Sequence, residues 1–213
     1  MLDALVSAAL LGGGVGLWRQ RLAGPALLSA GTGLAWLLGD LNWALVFLHR
    51  GPLVQLLLAY PRGVPRSRGA QAVLAAGYVD ALAYPLGSSD LVTVALLGGV
   101  VTAASHRYLR SSGVDRRSRR VPLLAVTAVA AVLMVGATAR WAGHPMDLAV
   151  LNAYEVVLIG VPIALYTDAR WGRWPSAALA RLVVDLGETA TATPLREKLA
   201  AALGDPSLVV GYT

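Results

Sequence analysis

Residues 40–61 read DLNWALVFLHRGPLVQLLLAYP, and the reading of this stretch decides the fold. Most of it is apolar enough to lie in a bilayer, yet His49, Arg50, Gly51 and Pro52 interrupt it near the middle. In a spanning helix the arginine lies close to the membrane midplane, where a central Arg costs about 2.5–3.5 kcal/mol on insertion scales. Pro52 removes a backbone donor and its ring clashes with the carbonyl of residue 48, so Gly51-Pro52 weakens a continuous helix there. A chain that keeps a cation and a break at this depth needs a use for them.

The remaining sequence supplies the context. Of 213 residues, 56% are hydrophobic and 14% charged, against roughly 25% charged in soluble domains. The deficit falls in long apolar runs: Leu2–Trp18, Leu22–Gly39, Trp43–Tyr60, Ala70–Gly87, Leu91–Tyr108, Val121–Trp141 and Asp147–Tyr166. Each is close to the ~20 residues that cross a bilayer core, and without water to satisfy backbone groups such runs form helices. The expected fold class is therefore an all-α membrane protein, a multi-pass helical bundle. Leu2–Trp18 lacks a basic leader and a cleavage site, so it reads as a retained span. No cysteine is present, which excludes disulfides, thiolate metal sites and thiol catalysis.

Arginines in the short loops set the orientation. Arg19 and Arg21 follow the first run, and Arg62, Arg66 and Arg68 follow the third. The segment RYLRSSGVDRRSRR carries Arg107, Arg110, Arg116, Arg117, Arg119 and Arg120, and Arg170 and Arg173 follow the last run. The alternate loops are acidic or small, with Arg140 the exception beside Ala142–Pro145. Seven crossings place the N-terminus outside and the C-terminus in the cytoplasm of a bacterial plasma membrane. A six-crossing arrangement competes, with Pro25–Leu48 as one span and Pro52–Tyr60 along the interface. It removes the midplane arginine but puts Arg19 and Arg21 outside.

The expected organisation is a bundle over 1–167, a juxtamembrane linker and signalling helix over 168–192, and the opening of an α/β domain over 193–213. In that last part Thr193 is an N-cap, Pro194 the first helical position and Gly204 a C-cap. Leu208–Tyr212 reads as a short buried strand.

Two further ionisable residues, Asp80 and Glu155, sit inside apolar runs. At 1.5 Å per residue, Arg50 and Asp80 lie about 10 Å below the outer ends of their spans and Glu155 about 12 Å. One arginine at that depth faces two carboxylates, and His49, Tyr84 and Asn152 complete an intramembrane polar cluster. Such residues pair or line a cavity, so the cluster is either a sensing pocket or a static ion pair that fixes packing. Gly51, Pro52, Pro85 and Pro162 are hinge candidates, although proline in membrane helices often only bends them. Small residues four apart, Gly12 and Gly16, Ser29 and Gly33, Ala95 and Gly99, permit close helix contact or a dimer face. The arginine segment at 107–120 between two spans is a topology determinant and lipid-headgroup contact, not a nucleic-acid site. Gly12–Gly16 lies in a span with no strand before it, so it is no phosphate loop. The three histidines are far apart without metal-ligand spacing, and neither a cofactor motif nor a catalytic residue is found.

LHRGPLVQLLLAYPRG (48–63) and the run LVVDLGE…LREKLAAALGDPSLVVGY resemble the N-terminal part of actinobacterial two-component sensor histidine kinases. The resemblance implies a membrane input region, then a GAF-like domain of which 193–213 is an incomplete start. It further implies homodimerisation through a kinase part and a response regulator as partner of the parent protein. The phosphoacceptor run and ATP-binding boxes of that family are not in this sequence, so the chain itself would sense and not phosphorylate. A small transporter or channel, or a standalone membrane partner protein, is the rival reading.

Overall fold

The computed structural model of the chain describes residues 2–171 except Arg66, Ser112 and Pro145. Every secondary-structure element among these residues is helical. In order they are α1 (Leu2–Arg19), α2 (Ala23–Leu41), a 3-10 turn (Trp43–Leu45), α3 (Arg50–Ala59), α4 (Arg68–Leu82), α5 (Tyr84–Gly87), α6 (Asp90–Leu109), α7 (Gly113–Trp141) and α8 (Asp147–Trp171). The expected linker beyond Trp171, the helix after Thr193 and the strand at 208–212 lie outside the described residues.

α6, α7 and α8 are long and apolar enough to cross a membrane. α1 and α2 have 18 and 19 residues, but each dilutes its leucines with four glycines. The third and fourth expected spans are not continuous helices. The third is the 3-10 turn, a run of turns and then a helix of 10 residues. The fourth is a helix of 15 residues, a break at Ala83 and a helix of 4 residues. The long second span of the six-crossing alternative does not form either, because the chain becomes extended at Asn42. Nor does 52–60 lie along a surface. Leu53, Leu56, Leu57 and Leu58 are buried, and α3 packs against α2, α4, α6 and α7.

α1 and α2 form a tight antiparallel hairpin. Arg21 takes a left-handed backbone (φ 60°), and the Leu22 N–H returns to the Leu17 carbonyl at 3.1 Å, closing the helix end. The two helices approach because Gly33 has no side chain. A Cβ there would meet Leu10 Cβ at 3.0 Å and the Ser7 carbonyl at 3.2 Å. Ser29 Oγ also donates to the Leu10 carbonyl at 2.7 Å, so the Ser29/Gly33 pair is spent within the chain. On the other side of α1, Gly13 lies against Pro162 and Gly16 against Tyr166, which seats α8. α8 buries Tyr154, Leu158, Val161, Leu165 and Ala169, a stripe at three- and four-residue spacing that packs on α1 and α7.

The arginine segment expected as a loop over 107–120 is mostly helix. α6 continues to Leu109 and α7 begins at Gly113, so the connection is short and the arginines ride on helix ends. Pro122 and Pro162 lie inside uninterrupted α7 and α8, and Pro162 serves as a packing surface, not a hinge.

Exposed tryptophans mark both ends of the bundle. Trp18 and Trp171 lie at the arginine-rich end, and Trp43 and Trp141 at the acidic end, as an interfacial belt would place them.

Candidate functional site

The site is built from the start of α3. Pro52 is the third residue of that helix, within the first turn, where backbone N–H groups have no intrahelical partner. Its missing donor therefore costs nothing, and Gly51-Pro52 starts a helix instead of bending one. Upstream, the Asn42 side chain accepts from the Ala44 N–H at 3.0 Å and caps the 3-10 turn. The chain then turns so that His49 and Arg50 enter the bundle interior in succession.

Arg50 is tied to three neighbouring elements. Its Nη1 donates to Asp80 Oδ2 on α4 at 3.2 Å, to the Gly87 carbonyl that ends α5 at 3.0 Å, and to Thr93 Oγ1 on α6 at 3.2 Å. The guanidinium also lies 4.3 Å from the centre of the Phe47 ring, a cation–π contact. Asp80 is 2% exposed, and its Oδ1 is buried without a partner. The charge that made the sequence unusual is thus a junction of α3, α4, α5 and α6.

His49 makes the second link. Its Nδ1 is 2.9 Å from the Val46 carbonyl, which only accepts, so this nitrogen donates. In the neutral ring that leaves Nε2 to accept from the Tyr154 hydroxyl of α8 at 2.9 Å. Trp36 of α2 packs edge-on against His49 with ring centres 4.7 Å apart, and its Nε1 is buried without a partner. α2, α3 and α8 meet at this aromatic contact.

Both links open on a cavity of about 770 Å³ at the acidic end, whose walls include Trp36, His49, Arg50, Tyr84 and Tyr154. Around its mouth stand Asp3, Asp40, Asp90 and Asp147. Arg140 bridges two of them, with Nε 3.0 Å from each Asp90 oxygen and Nη1 3.0 Å from Asp147 Oδ1. This accounts for the arginine that broke the loop pattern, since two carboxylates neutralise it.

The structure brings together only part of the expected cluster. Arg50 meets Asp80, but Glu155 does not join them. It is buried in α8 and lies near Asp3 at the start of α1. Successive helical residues point about 100° apart, so with Tyr154 aimed at His49, Glu155 turns toward α1. Asn152 is exposed and outside the cluster. Tyr84 lines the cavity but packs its ring on Trp43 and Phe47 at 4.8 and 5.5 Å. Pro85 stands in the first turn of α5, a helix start like Pro52. Trp36, Thr93, Tyr154 and the Gly87 carbonyl are participants that residue-type reasoning missed. Tyr154, a phenol amid aliphatics beside Glu155, was the one with a readable signal.

At the opposite end Arg116 lies over the Tyr108 ring at 4.8 Å, and Arg119 Nη1 donates to the Arg107 carbonyl at 2.8 Å. Arg110, Arg117 and Arg120 are exposed. Among the described residues no group of three His, Cys, Asp or Glu side chains is placed to hold a metal ion. Aromatic walls, a fixed guanidinium and an acidic mouth equip the cavity for binding a small polar molecule. The chain matches no protein family, no curated protein and no solved structure.

Proposed function

We propose that the chain is a membrane-embedded input module, in which occupancy of the cavity at the acidic end shifts α8 and thereby an output on the C-terminal side. The observation that carries this reading is the His49–Tyr154 hydrogen bond. It joins the cavity wall to a helix that runs 25 residues from Asp147 at the mouth to Trp171 at the opposite end. A continuous helix touching the site at one end and reaching the arginine-rich end at the other suits transmission by a small shift or rotation. The resemblance of 48–63 and the C-terminal run to sensor histidine kinases supports the same role. It adds a kinase part as the dimerising output and a response regulator downstream.

In this reading the bundle crosses a bacterial plasma membrane seven times, two of the passes being the interrupted pairs formed by the 3-10 turn with α3 and by α4 with α5. The N-terminus is outside and the C-terminus cytoplasmic. Interrupted helices meeting at a charged residue also occur in transporters, and the test separates the two readings. The full chain is fused ahead of the dimerisation and ATPase parts of a histidine kinase, and autophosphorylation is followed for the parent, Tyr154→Phe and Trp36→Phe. A change in basal output of threefold or more supports the input reading. Unchanged output, together with ion or solute flux in liposomes that Arg50→Ala abolishes, assigns the cavity to transport instead.

A further inference from the structure

The geometry points to a second binding site, a pocket for a phosphate group at the arginine-rich end of the bundle, recognised by Arg62, Arg107, Arg110 and Arg119. Here a cavity of about 230 Å³ is lined by these four arginines together with Ser67 and His106. They come from separate parts of the chain: the link after α3, the N-cap of α4, the last turn of α6 and its C-cap, and the first turns of α7. The convergence is therefore made by tertiary structure and is distinct from the general run of arginines over 107–120. Arg117 and Arg120 of the same run are not among the residues that line it.

The lining is of one sign. Among the described residues, no carboxylate lines the cavity. Arg119 hydrogen-bonds the backbone carbonyl of Arg107, which holds two cationic residues side by side, and Arg62 lines the same cavity. Like charges held together in this way favour an anion between them. The planar guanidinium fork matches the paired oxygens of a phosphate. α4, 15 residues long, begins at this cavity, and Ser67 Oγ accepts from the Ala70 N–H. The other first-turn N–H groups and the helix dipole add positive potential on the same side.

Size and surroundings narrow the ligand. The cavity is smaller than the ~300–1,000 Å³ of sites for drug-sized molecules, which suits a phosphate group with its bridging waters. Val64 lines it while remaining 64% exposed, and Leu109, between the lining residues Arg107 and Arg110 in sequence, is 70% exposed. An apolar rim next to a basic pocket, at the end where Trp18 and Trp171 mark the interface, fits a phospholipid headgroup whose acyl chains continue along the helices. The shared chemistry is the phosphate, supplied either by an anionic lipid or by free phosphate from solution.

The test uses the full chain in nanodiscs of phosphatidylcholine, with and without phosphatidylglycerol, and inorganic phosphate titrated into the phosphatidylcholine discs. Lipid retention by native mass spectrometry and thermal stability are the readouts. The double variant Arg62→Gln/Arg107→Gln is compared with Arg117→Gln/Arg120→Gln, which removes the same charge from the exposed face. At roughly fivefold per arginine near a headgroup surface, the first should weaken phosphatidylglycerol binding about thirtyfold and the second less than threefold. If the first variant does not fold, Arg62→Lys keeps the charge, loses the fork and should weaken binding severalfold. Selective loss of lipid retention assigns the lipid as source. Selective loss of inorganic phosphate binding, with lipid retention unchanged, assigns free phosphate. Equal effects of both double variants, or no effect of either, overturn the pocket.

Discussion

Arg50→Ala is the most informative single change. It leaves Asp80, 2% exposed, as a carboxylate with no cation, when one of its oxygens is already unpartnered. The Gly87 carbonyl and Thr93 Oγ1 lose the same donor. Removing one partner of a buried ion pair costs about 3–5 kcal/mol. The Arg50 side chain is 15% exposed, toward the cavity, so water can reach the junction and about 3 kcal/mol is expected. Asp80→Ala should cost less, about 2 kcal/mol, because the guanidinium keeps two acceptors and the Phe47 face. Polar pairs inside membranes couple by about 0.6 kcal/mol on average and up to about 1.7. For a charged pair, the double variant should fall short of the sum by about 1.5 kcal/mol. Reversible unfolding in mixed micelles, followed through the six tryptophans, measures all four species. Additivity within about 0.5 kcal/mol would refute the junction as the force that locks α3 to α4.

Three other expectations use different features. Gly13→Ala places a Cβ against Pro162, whereas Gly12→Ala meets nothing within 4 Å. The first should lower stability by about 1–3 kcal/mol and the second by almost nothing, read as paired thermal shifts. Tyr154→Phe leaves His49 Nε2 buried without its partner and should cost about 1–2 kcal/mol. Much of that loss should return in His49→Phe/Tyr154→Phe, where both polar groups are gone; if the double variant is the less stable, the hydrogen bond is not the operative contact. Because the chain has no cysteine, Ser88→Cys and Arg117→Cys can each be labelled singly in intact cells. An impermeant maleimide should reach the first and not the second, and the reverse pattern inverts the orientation.

The helical membrane character of the chain was legible in its apolar runs, because only helices satisfy the backbone in lipid. The contact of Arg50 with Asp80 was legible for a related reason, since isolated charges at depth seek each other. What the sequence withheld was direction. Depth below a span end was a sound coordinate for Asp80 but not for Glu155, whose rotation about α8 is fixed by Tyr154 facing His49. Pro52 and Pro85 were read as breaks within helices, yet each stands in a first turn, a distinction that depends on where the preceding chain turns. Arg140 looked like a topological exception until Asp90 and Asp147, far apart in sequence, were seen to hold it. Serine and glycine at helical spacing signalled close packing but not the partner, which for Ser29 and Gly33 is α1 of the same chain.

The brevity of α3 has an electrical consequence. Its 10 residues span about 15 Å, half the usual ~30 Å hydrocarbon thickness. The cavity reaches Arg50 from a mouth where Asp40 and Ser88 are exposed. In the proposed orientation, water filling that cavity brings the outer conducting phase down to the start of α3. A membrane potential then drops mainly along this one short helix, at about twice the usual field strength. Each elementary charge crossing that step would gain about 2.3 kcal/mol per 100 mV, within half the customary distance. In electrical terms the bundle is a thinned dielectric with a fixed cation at its outer plate.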